Sequence, residues 1–200
     1  MSLVETGVAQ FVLPGQRESG DRYVVSGNEG CILVAAIDGI GHGEEAASAA
    51  EAAAGVLQAS THEAIISAVE RCHERLRQTR GVVLSLASVD VRQGMITWLG
   101  VGNVRGILLR AGTGKGIMRE MLLLRSGVVG SQLPPLQAAV LPLGSGDTIA
   151  FVTDGVRGDC LDSLTALESP QRAAERIVDN YGTGQDDALA LVVRITKSGI

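Results

Sequence analysis

Aspartate residues flank three apolar segments of this sequence, each beside a glycine or in a glycine-rich turn. Asp38 follows the run CILVAAI, Asp154 follows residues 148–153, and the pair Asp186 and Asp187 precedes the last apolar run. A single carboxylate in such a place is usually a turn or capping residue. Three at equivalent positions indicate instead that strand ends bring several carboxylates together in one cleft.

Carboxylates gathered in one cleft repel each other, so folding requires that their pKa values rise or that a cation neutralises them. Carboxylate oxygens are hard ligands, which select magnesium, manganese or calcium rather than zinc. Four such aspartates would carry a charge of about −4, which two divalent ions would balance. The pattern therefore predicts a paired-metal centre.

The elements that must position these aspartates are predicted from apolar runs, helical spacing and turn residues. Their order, strands, two helices, many strands, helix and strand, favours an α+β sandwich over a regularly alternating parallel sheet. We expect antiparallel pairing, with turns at Gln93-Gly94, at Gly102-Asn103 and in AGTGKG. Strands are expected at residues 23–26, 31–37, 82–91, 95–101, 104–110, 148–153 and 188–195, and helices at 44–60, 61–78 and 170–181.

Composition limits the function classes. The chain of 200 residues is 46% hydrophobic, so we expect residues 1–200 to form a single domain with one sizeable core. A net charge of −5 and an aromatic content of 2% argue against nucleic-acid binding and against an anionic membrane surface. The longest clean apolar run, residues 31–37, is far shorter than the ~20 residues of a membrane helix.

Three cysteines bear on the cellular compartment. Cys31, Cys72 and Cys160 are spread singly, with no Cys-x-x-Cys pair. This pattern argues against a disulfide framework or a zinc-cysteine site and fits a reducing compartment. The opening MSLVETG has no basic segment followed by an apolar one, so no signal peptide is predicted. We expect a cytoplasmic protein.

Four motifs resemble a known family when they are taken together. They are DGIGHG (residues 38–43), GVGNVRG (100–106), VTDGV (152–156) and QDDALALVV (185–193). Their order and spacing resemble the metal-dependent type 2C (PPM) serine/threonine protein phosphatases, and within them the bacterial branch of sporulation stage II protein E and RsbX-like phosphatases. The resemblance runs from about residue 20 to the C-terminus. It implies a central antiparallel β-sandwich flanked by helices, in an αββα arrangement.

The resemblance also implies a set of ligands for two Mn²⁺ or Mg²⁺ ions. Asp38 would bridge both ions, and the backbone carbonyl of Gly39 would be a further ligand. Asp154 and Asp186 would complete the first ion's protein ligands. Asp21 would hold the second ion, often through water.

Two neighbouring residues are given supporting roles. Asn103 resembles a family asparagine that is structural or lies just behind the ligands. Asp187 either orients Asp186 or is structural.

The chemistry implied by the resemblance is hydrolysis of phosphoserine or phosphothreonine. Two divalent ions bridged by a carboxylate activate a water and screen the phosphate charge. His42 is the candidate acid for the leaving group. A capping histidine, or one that is simply exposed to solvent in the loop, would fit the sequence equally well. We expect the substrate to be a phosphorylated STAS-domain protein of a partner-switching or stressosome system. The alternative is a non-catalytic module that binds a phosphoprotein.

The sequence does not by itself assign roles to two sets of arginines. The arginine that grips phosphate in the eukaryotic members cannot be aligned reliably with Arg17 or Arg22. A basic stretch in the second predicted helix is either a solvated face or a docking patch for an acidic protein; its members are Arg71, Arg75, Arg77 and Arg80.

Overall fold

Two β-sheets form the centre of the computed structural model, which describes residues 3–27, 30–111, 118–165 and 167–196. The first sheet contains β1 (Val4–Phe11), β6 (Arg105–Leu109), β7 (Arg119–Met121), β10 (Thr148–Val152) and β11 (Ala188–Ile195). Its strand order is β1-β11-β10-β6-β7, and every neighbouring pair is antiparallel.

The second sheet contains β2 (Asp21–Gly27), β3 (Cys31–Gly39), β4 (Val82–Asp90), β5 (Met95–Val101), β8 (Leu124–Arg125) and β9 (Ala139–Pro142). Its order is β2-β3-β4-β5-β8, and β9 also pairs with β5. The pairs are antiparallel except β5 with β8, which is parallel.

Helices cover both outer faces of the two sheets. On the second sheet lie α1 (Glu44–Ala59) and α2 (Ile65–Leu76), and on the first lie α3 (Pro170–Tyr181) and a short 3-10 helix, Gly158–Ser163. The result is a four-layer αββα sandwich, as expected from the sequence. No helix in the described ranges is both long and apolar enough to cross a membrane.

The strand β3 is buried on both faces, which explains why its sequence is continuously apolar. Val34 and Ala36 point between the sheets, where they pack with Phe151 and Leu191 of the first sheet. The alternate residues, among them Ile37, pack under α1 and α2. The strand that carries Asp38 is thus held rigidly by two cores.

Most predicted elements are present with shifts of a few residues at their ends. The second helix begins at Ile65 rather than at residue 61, and β6 begins at Arg105 rather than at 104. The strand β1 was not predicted because its residues lack an apolar run. It is an edge strand in which only Gly7 is fully buried. The turn predicted in AGTGKG (residues 111–116) lies, except for Ala111, outside the described ranges.

The prediction that GVGNVRG forms a hairpin is wrong. β5 and β6 lie in different sheets, so the segment between them crosses from one sheet to the other. Val104 is fully buried in the core between the sheets, and Gly102 N donates a hydrogen bond to Arg125 O at 2.8 Å. Burial of Val104 stabilises the crossing, which places Asn103 at the edge of the sandwich rather than at the tip of a ribbon.

Candidate metal and phosphate site

The predicted aspartates gather at one edge of the sandwich because of strand register. Asp21, the first residue of β2, lies directly opposite Asp38, near the end of β3. In the other sheet β10 and β11 are antiparallel, with Val152 opposite Ala190. The end of β10 and the start of β11 therefore coincide, which brings Asp154 close to Asp186.

A cavity of about 410 Å³ opens between these strand ends. Three of the predicted ligands line it, with His42, Asn103 and parts of three connecting loops. The lining residues are Asp38, Ile40, Gly41, His42, Val83, Gly102, Asn103, Ser126, Gly127, Asp154 and Asp186. Asp21, Gly39 and Asp187 lie behind this lining and are buried.

Asp38 has the most perturbed carboxyl group of the cavity. Its pKa is raised to about 9, first by burial and then by the negative charges of Asp21, Asp154 and Asp186. A carboxylate in this position requires either a proton or a nearby cation. The cavity is consequently suited to cations.

Asp21 is 1% exposed, so it is the most deeply buried of the four predicted carboxylate ligands. Its pKa is raised to about 7: burial is the largest cause, the hydrogen bond from Thr153 opposes the shift, and repulsion by Asp187 and Asp154 adds to it. Thr153 Oγ1 donates to Asp21 Oδ2 at 2.8 Å and accepts from Leu189 N at 2.9 Å. Thr153 thus links a β2 carboxylate to the backbone of β11.

Thr153 is a site residue that the sequence analysis did not single out. It precedes Asp154 in the VTDGV motif, and its hydroxyl is the one polar group in an otherwise apolar strand end. A threonine next to a predicted ligand was the available signal. Only the tertiary structure brings it to Asp21, 132 residues away in the chain.

Asp187 has a structural role in this arrangement. Its carboxylate accepts hydrogen bonds from Leu13 N at 2.8 Å and from Gly20 N at 2.6 Å. Its own amide donates to Asp186 Oδ1 at 2.8 Å. Asp187 therefore ties the segment before β2 to the start of β11 and also orients Asp186, so both expectations for this residue describe part of its contacts.

Asn103 holds Asp154 in place. Its Nδ2 donates a hydrogen bond to Asp154 Oδ2 at 2.8 Å, and both side chains lie at the exposed rim of the cavity. The bond leaves Asp154 Oδ1 for another partner. Asn103 therefore acts as a support behind a predicted ligand.

Gly39 lies where β3 meets the start of α1. A Cβ atom at this position would lie 2.2 Å from Ala46 O, so a side chain would push the helix away. Gly39 N also donates to Gly20 O at 3.1 Å, next to the Asp21–Asp38 pair. The glycine is required by close packing of α1 on the edge of the site.

His42 lies in the exposed loop that follows β3 and lines the cavity. Its Nδ1 lies 3.3 Å from Gln16 Nε2. The roles in this contact depend on the tautomer of the ring: when the ring is neutral with its proton on Nε2, Nδ1 accepts from the Gln16 amide. Gln16 is a second site residue that the sequence analysis did not single out.

The described side chains at the cavity offer few direct ligands that converge on one point. The described residues contain no group of three or more His, Cys, Asp or Glu side chains arranged to hold a metal ion. The available donors at the cavity are carboxylate, amide and backbone oxygens, together with His42. Magnesium keeps several water ligands and uses only one or two carboxylates, so such a donor set fits a hydrated hard cation.

Known proteins share this architecture. The αββα sandwich is the fold of the PPM protein phosphatases. Residues 28–196, more than half of the chain, match the model of the Stage II sporulation protein E (SpoIIE) family. The chain belongs to that family, and the resemblance found in its four motifs is confirmed.

Individual relatives are similar over different lengths. Phosphoserine phosphatase RsbX of Bacillus subtilis (strain 168) is 29% identical over 105 residues, which are 52% of this chain and 53% of RsbX. The match thus spans about half the length of this curated relative. A structure of RsbX in complex with magnesium is 22% identical, with a TM-score of 0.84 over 96% of both chains.

A further solved chain comes from work on the bacterial stressosome as a modular system adapted to control secondary messenger signaling. It is 32% identical to this chain and superposes with a TM-score of 0.85. The match covers 96% of this chain and 99% of the other.

Proposed function

We propose that this protein is a metal-dependent phosphatase that hydrolyses phosphoserine or phosphothreonine on another protein. The observation that supports it best is the pairing of buried Asp21 with Asp38, which lies opposite it and lines the cavity together with Asp154 and Asp186. Clustered carboxylates repel each other and destabilise the fold, which argues against a purely structural role for them. Membership of the SpoIIE family supports the same conclusion.

The proposed cofactor is a pair of Mg²⁺ or Mn²⁺ ions. Asp38 would lie between them, Gly39 would add its carbonyl, Asp154 and Asp186 would hold one ion, and Asp21 would hold the other through water. When bound, such ions lower the pKa of a coordinated water and neutralise phosphate charge. The magnesium complex of the structurally similar RsbX supports the choice of a hard cation.

The chain's own groups have distinct tasks in this proposal. Asn103 fixes one oxygen of Asp154, and Thr153 keeps Asp21 oriented and favours its charged form. His42, as the imidazolium, would donate its Nε2 proton to the serine or threonine oxygen as it leaves phosphorus. Gln16 would hold the ring in that orientation.

The proposed substrate is a phosphorylated STAS-domain protein of a partner-switching or stressosome system. The likeness to the stressosome-related chain and to phosphoserine phosphatase RsbX supports this substrate class. We further propose a cytoplasmic location, because the three cysteines are all free and such systems act in a reducing compartment.

A non-catalytic phosphoprotein-binding module is the second candidate. The observation in its favour is that the described side chains form no ready-made metal-binding group. The two candidates differ in turnover. We expect hydrolysis of para-nitrophenyl phosphate and of a phosphoserine peptide that depends on added Mg²⁺ or Mn²⁺ and stops with EDTA. Binding of the phosphopeptide without metal-stimulated hydrolysis would favour the module.

A further inference from the structure

The cavity lacks a protein cation for the substrate's phosphate. Among the described residues that line it, none is lysine or arginine, whereas three are aspartates. A phosphate dianion entering this space benefits from a guanidinium at its rim, because charge-assisted N–H···O bonds to phosphate are strong and directional.

Arg80 is placed beside the cavity by the pairing of β3 with β4. Ile40 N donates to Gly81 O at 3.1 Å, and Gly39 lies opposite Val82 in the sheet. Arg80, which precedes Gly81, is thereby held next to the loop that follows Asp38.

The Arg80 guanidinium itself lies against Gly41, which lines the cavity. A Cβ atom on Gly41 would lie 2.8 Å from Arg80 Nη1. Gly41 has φ of 92°, a conformation that favours glycine, so the backbone there turns tightly and leaves space for the guanidinium. The distance places the nitrogen within a few ångströms of the cavity wall.

Arg80 also has a partner that it can exchange. Its Nε forms an ion pair with Glu45 Oε2, and the two side chains are 54% and 69% exposed. An exposed ion pair contributes little to stability, so a phosphate dianion can compete with it.

Two other arginines of the basic stretch, Arg71 and Arg77, are paired with nearby glutamates. Arg71 pairs with Glu63, and Arg77 lies 3.5 Å from Glu74 on the exposed face of α2. The stretch is therefore divided. Arg71 and Arg77 match one of the two alternatives given by the sequence, the solvated face, whereas Arg80 lies against Gly41 in the cavity wall.

Arg22 is also held away from the cavity. Its Nη1 donates to Ser19 O at 2.7 Å and to Asp21 O at 2.9 Å, and its Nε lies 2.9 Å from Glu51.

We propose that Arg80 binds the phosphate group of the substrate at the rim of the cavity, exchanging its contact with Glu45 for contacts with phosphate oxygens. This inference rests on the proposed phosphatase function. Arg80 would thus take the phosphate-binding role that could not be aligned reliably with Arg17 or Arg22.

The test compares Arg80→Ala and Arg80→Lys with the matched control Arg77→Ala. With a phosphoserine peptide and Mg²⁺, we expect Arg80→Ala to raise KM about 10- to 100-fold, as loss of a charge-assisted hydrogen bond predicts. The inhibition constant of inorganic phosphate should rise in parallel. Arg80→Lys should retain part of the binding, and Arg77→Ala should stay within about twofold of wild type.

Glu45→Gln tests the exchange of partners. It should lower KM by up to about fivefold, since Arg80 no longer has to leave an ion pair. A raised KM in Glu45→Gln, or wild-type KM and phosphate inhibition in Arg80→Ala, would overturn the inference while leaving the phosphatase proposal intact. Circular dichroism of each variant confirms that the fold is retained.

Calorimetric titration of inorganic phosphate into the Mg²⁺-loaded protein separates the two proposals. If wild type does not hydrolyse the peptide, the phosphatase proposal fails on its own. Arg80 is then judged by binding alone. Weaker phosphate binding by Arg80→Ala than by wild type supports the inference, and equal binding, or no binding by wild type, rejects it.

Discussion

Asp21 lies directly opposite Asp38 across the antiparallel pair of β2 and β3. Like charges in this relationship destabilise a sheet, and burial of both carboxyl groups makes their ionisation harder still. The pKa of Asp38 is raised to about 9 and that of Asp21 to about 7, with burial as the largest cause in each case. The fold therefore keeps two destabilising groups at one edge, where bound cations would compensate for them.

The metal-free protein should become less stable as pH rises. Because both pKa values are higher in the folded state than the ordinary 3.8, the folded chain holds more protons than the unfolded chain between about pH 4 and pH 9. The two protonated carboxyl groups therefore stabilise the folded state at the acid end of that window, and this contribution to the free energy of unfolding is lost toward pH 9. Urea unfolding in EDTA at several pH values measures it.

Asp38→Asn isolates the contribution of one carboxyl group. In EDTA at pH 8 this neutral variant should be more stable than wild type, and the difference should vanish near pH 4. Each kcal/mol corresponds to about 2–4 °C in Tm for a chain of this length. The matched control is Asp179→Asn, an exposed change on α3. Equal pH profiles for wild type and Asp38→Asn would contradict the prediction.

The same Asp38→Asn variant should lose turnover. Replacing the proposed bridging carboxylate with an amide removes a charge that holds the ions, so hydrolysis of para-nitrophenyl phosphate should fall by at least about 10³-fold. Calorimetry with Mn²⁺ should show weakened metal binding in a folded protein. Wild-type rates in this variant would remove Asp38 from the mechanism.

Thr153→Val should destabilise the protein by about 1–3 kcal/mol, because it leaves Asp21 Oδ2 and Leu189 N without their shared hydroxyl partner. Thr153→Ser keeps the hydroxyl and should cost less. Since the Thr153 hydrogen bond lowers the pKa of Asp21, metal binding by the valine variant should also require a more alkaline pH. Both quantities are measured by urea unfolding and metal titration. A valine variant as stable as the serine variant would show that the bond is dispensable.

His42→Ala should slow poor leaving groups more than activated ones. A proton donor matters most when the leaving alkoxide is basic, so the rate on a phosphoserine peptide should fall about 10²-fold or more and that on para-nitrophenyl phosphate much less. Gln16→Ala should give a smaller loss with the same selectivity, because it removes the contact that orients the ring. Equal losses on both substrates would argue against an acid role for His42.

Several features of the site were predictable from local sequence alone. The apolar run before Asp38, the glycines after it and the apolar segments around Asp154 and Asp186 indicate buried strands that end in polar turns. Carboxylates at such ends indicate a hard cation, because no other partner balances their charge. The four motifs together identify the family, which the match over residues 28–196 confirms.

Contacts between distant segments were not predictable in this way. The hydroxyl of Thr153 reaches Asp21, and Asp187 binds the backbone of Leu13 and Gly20, across most of the chain length. The segment after β5 crosses to the other sheet rather than returning as a hairpin, because burial of Val104 between the sheets outweighs the local turn signal of Gly102 and Asn103.

The sequence by itself determined which residue types end the strands, and thereby the acidic chemistry of the site and the family. Only the tertiary structure decided which carboxylate faces which, which are buried, and which cation stands at the rim. The reason is physical: residue type and period fix a strand and its ends, whereas register, sheet order and burial depend on packing among segments far apart in the chain. Asp21 opposite Asp38, and Arg80 against Gly41, exist only in the packed molecule.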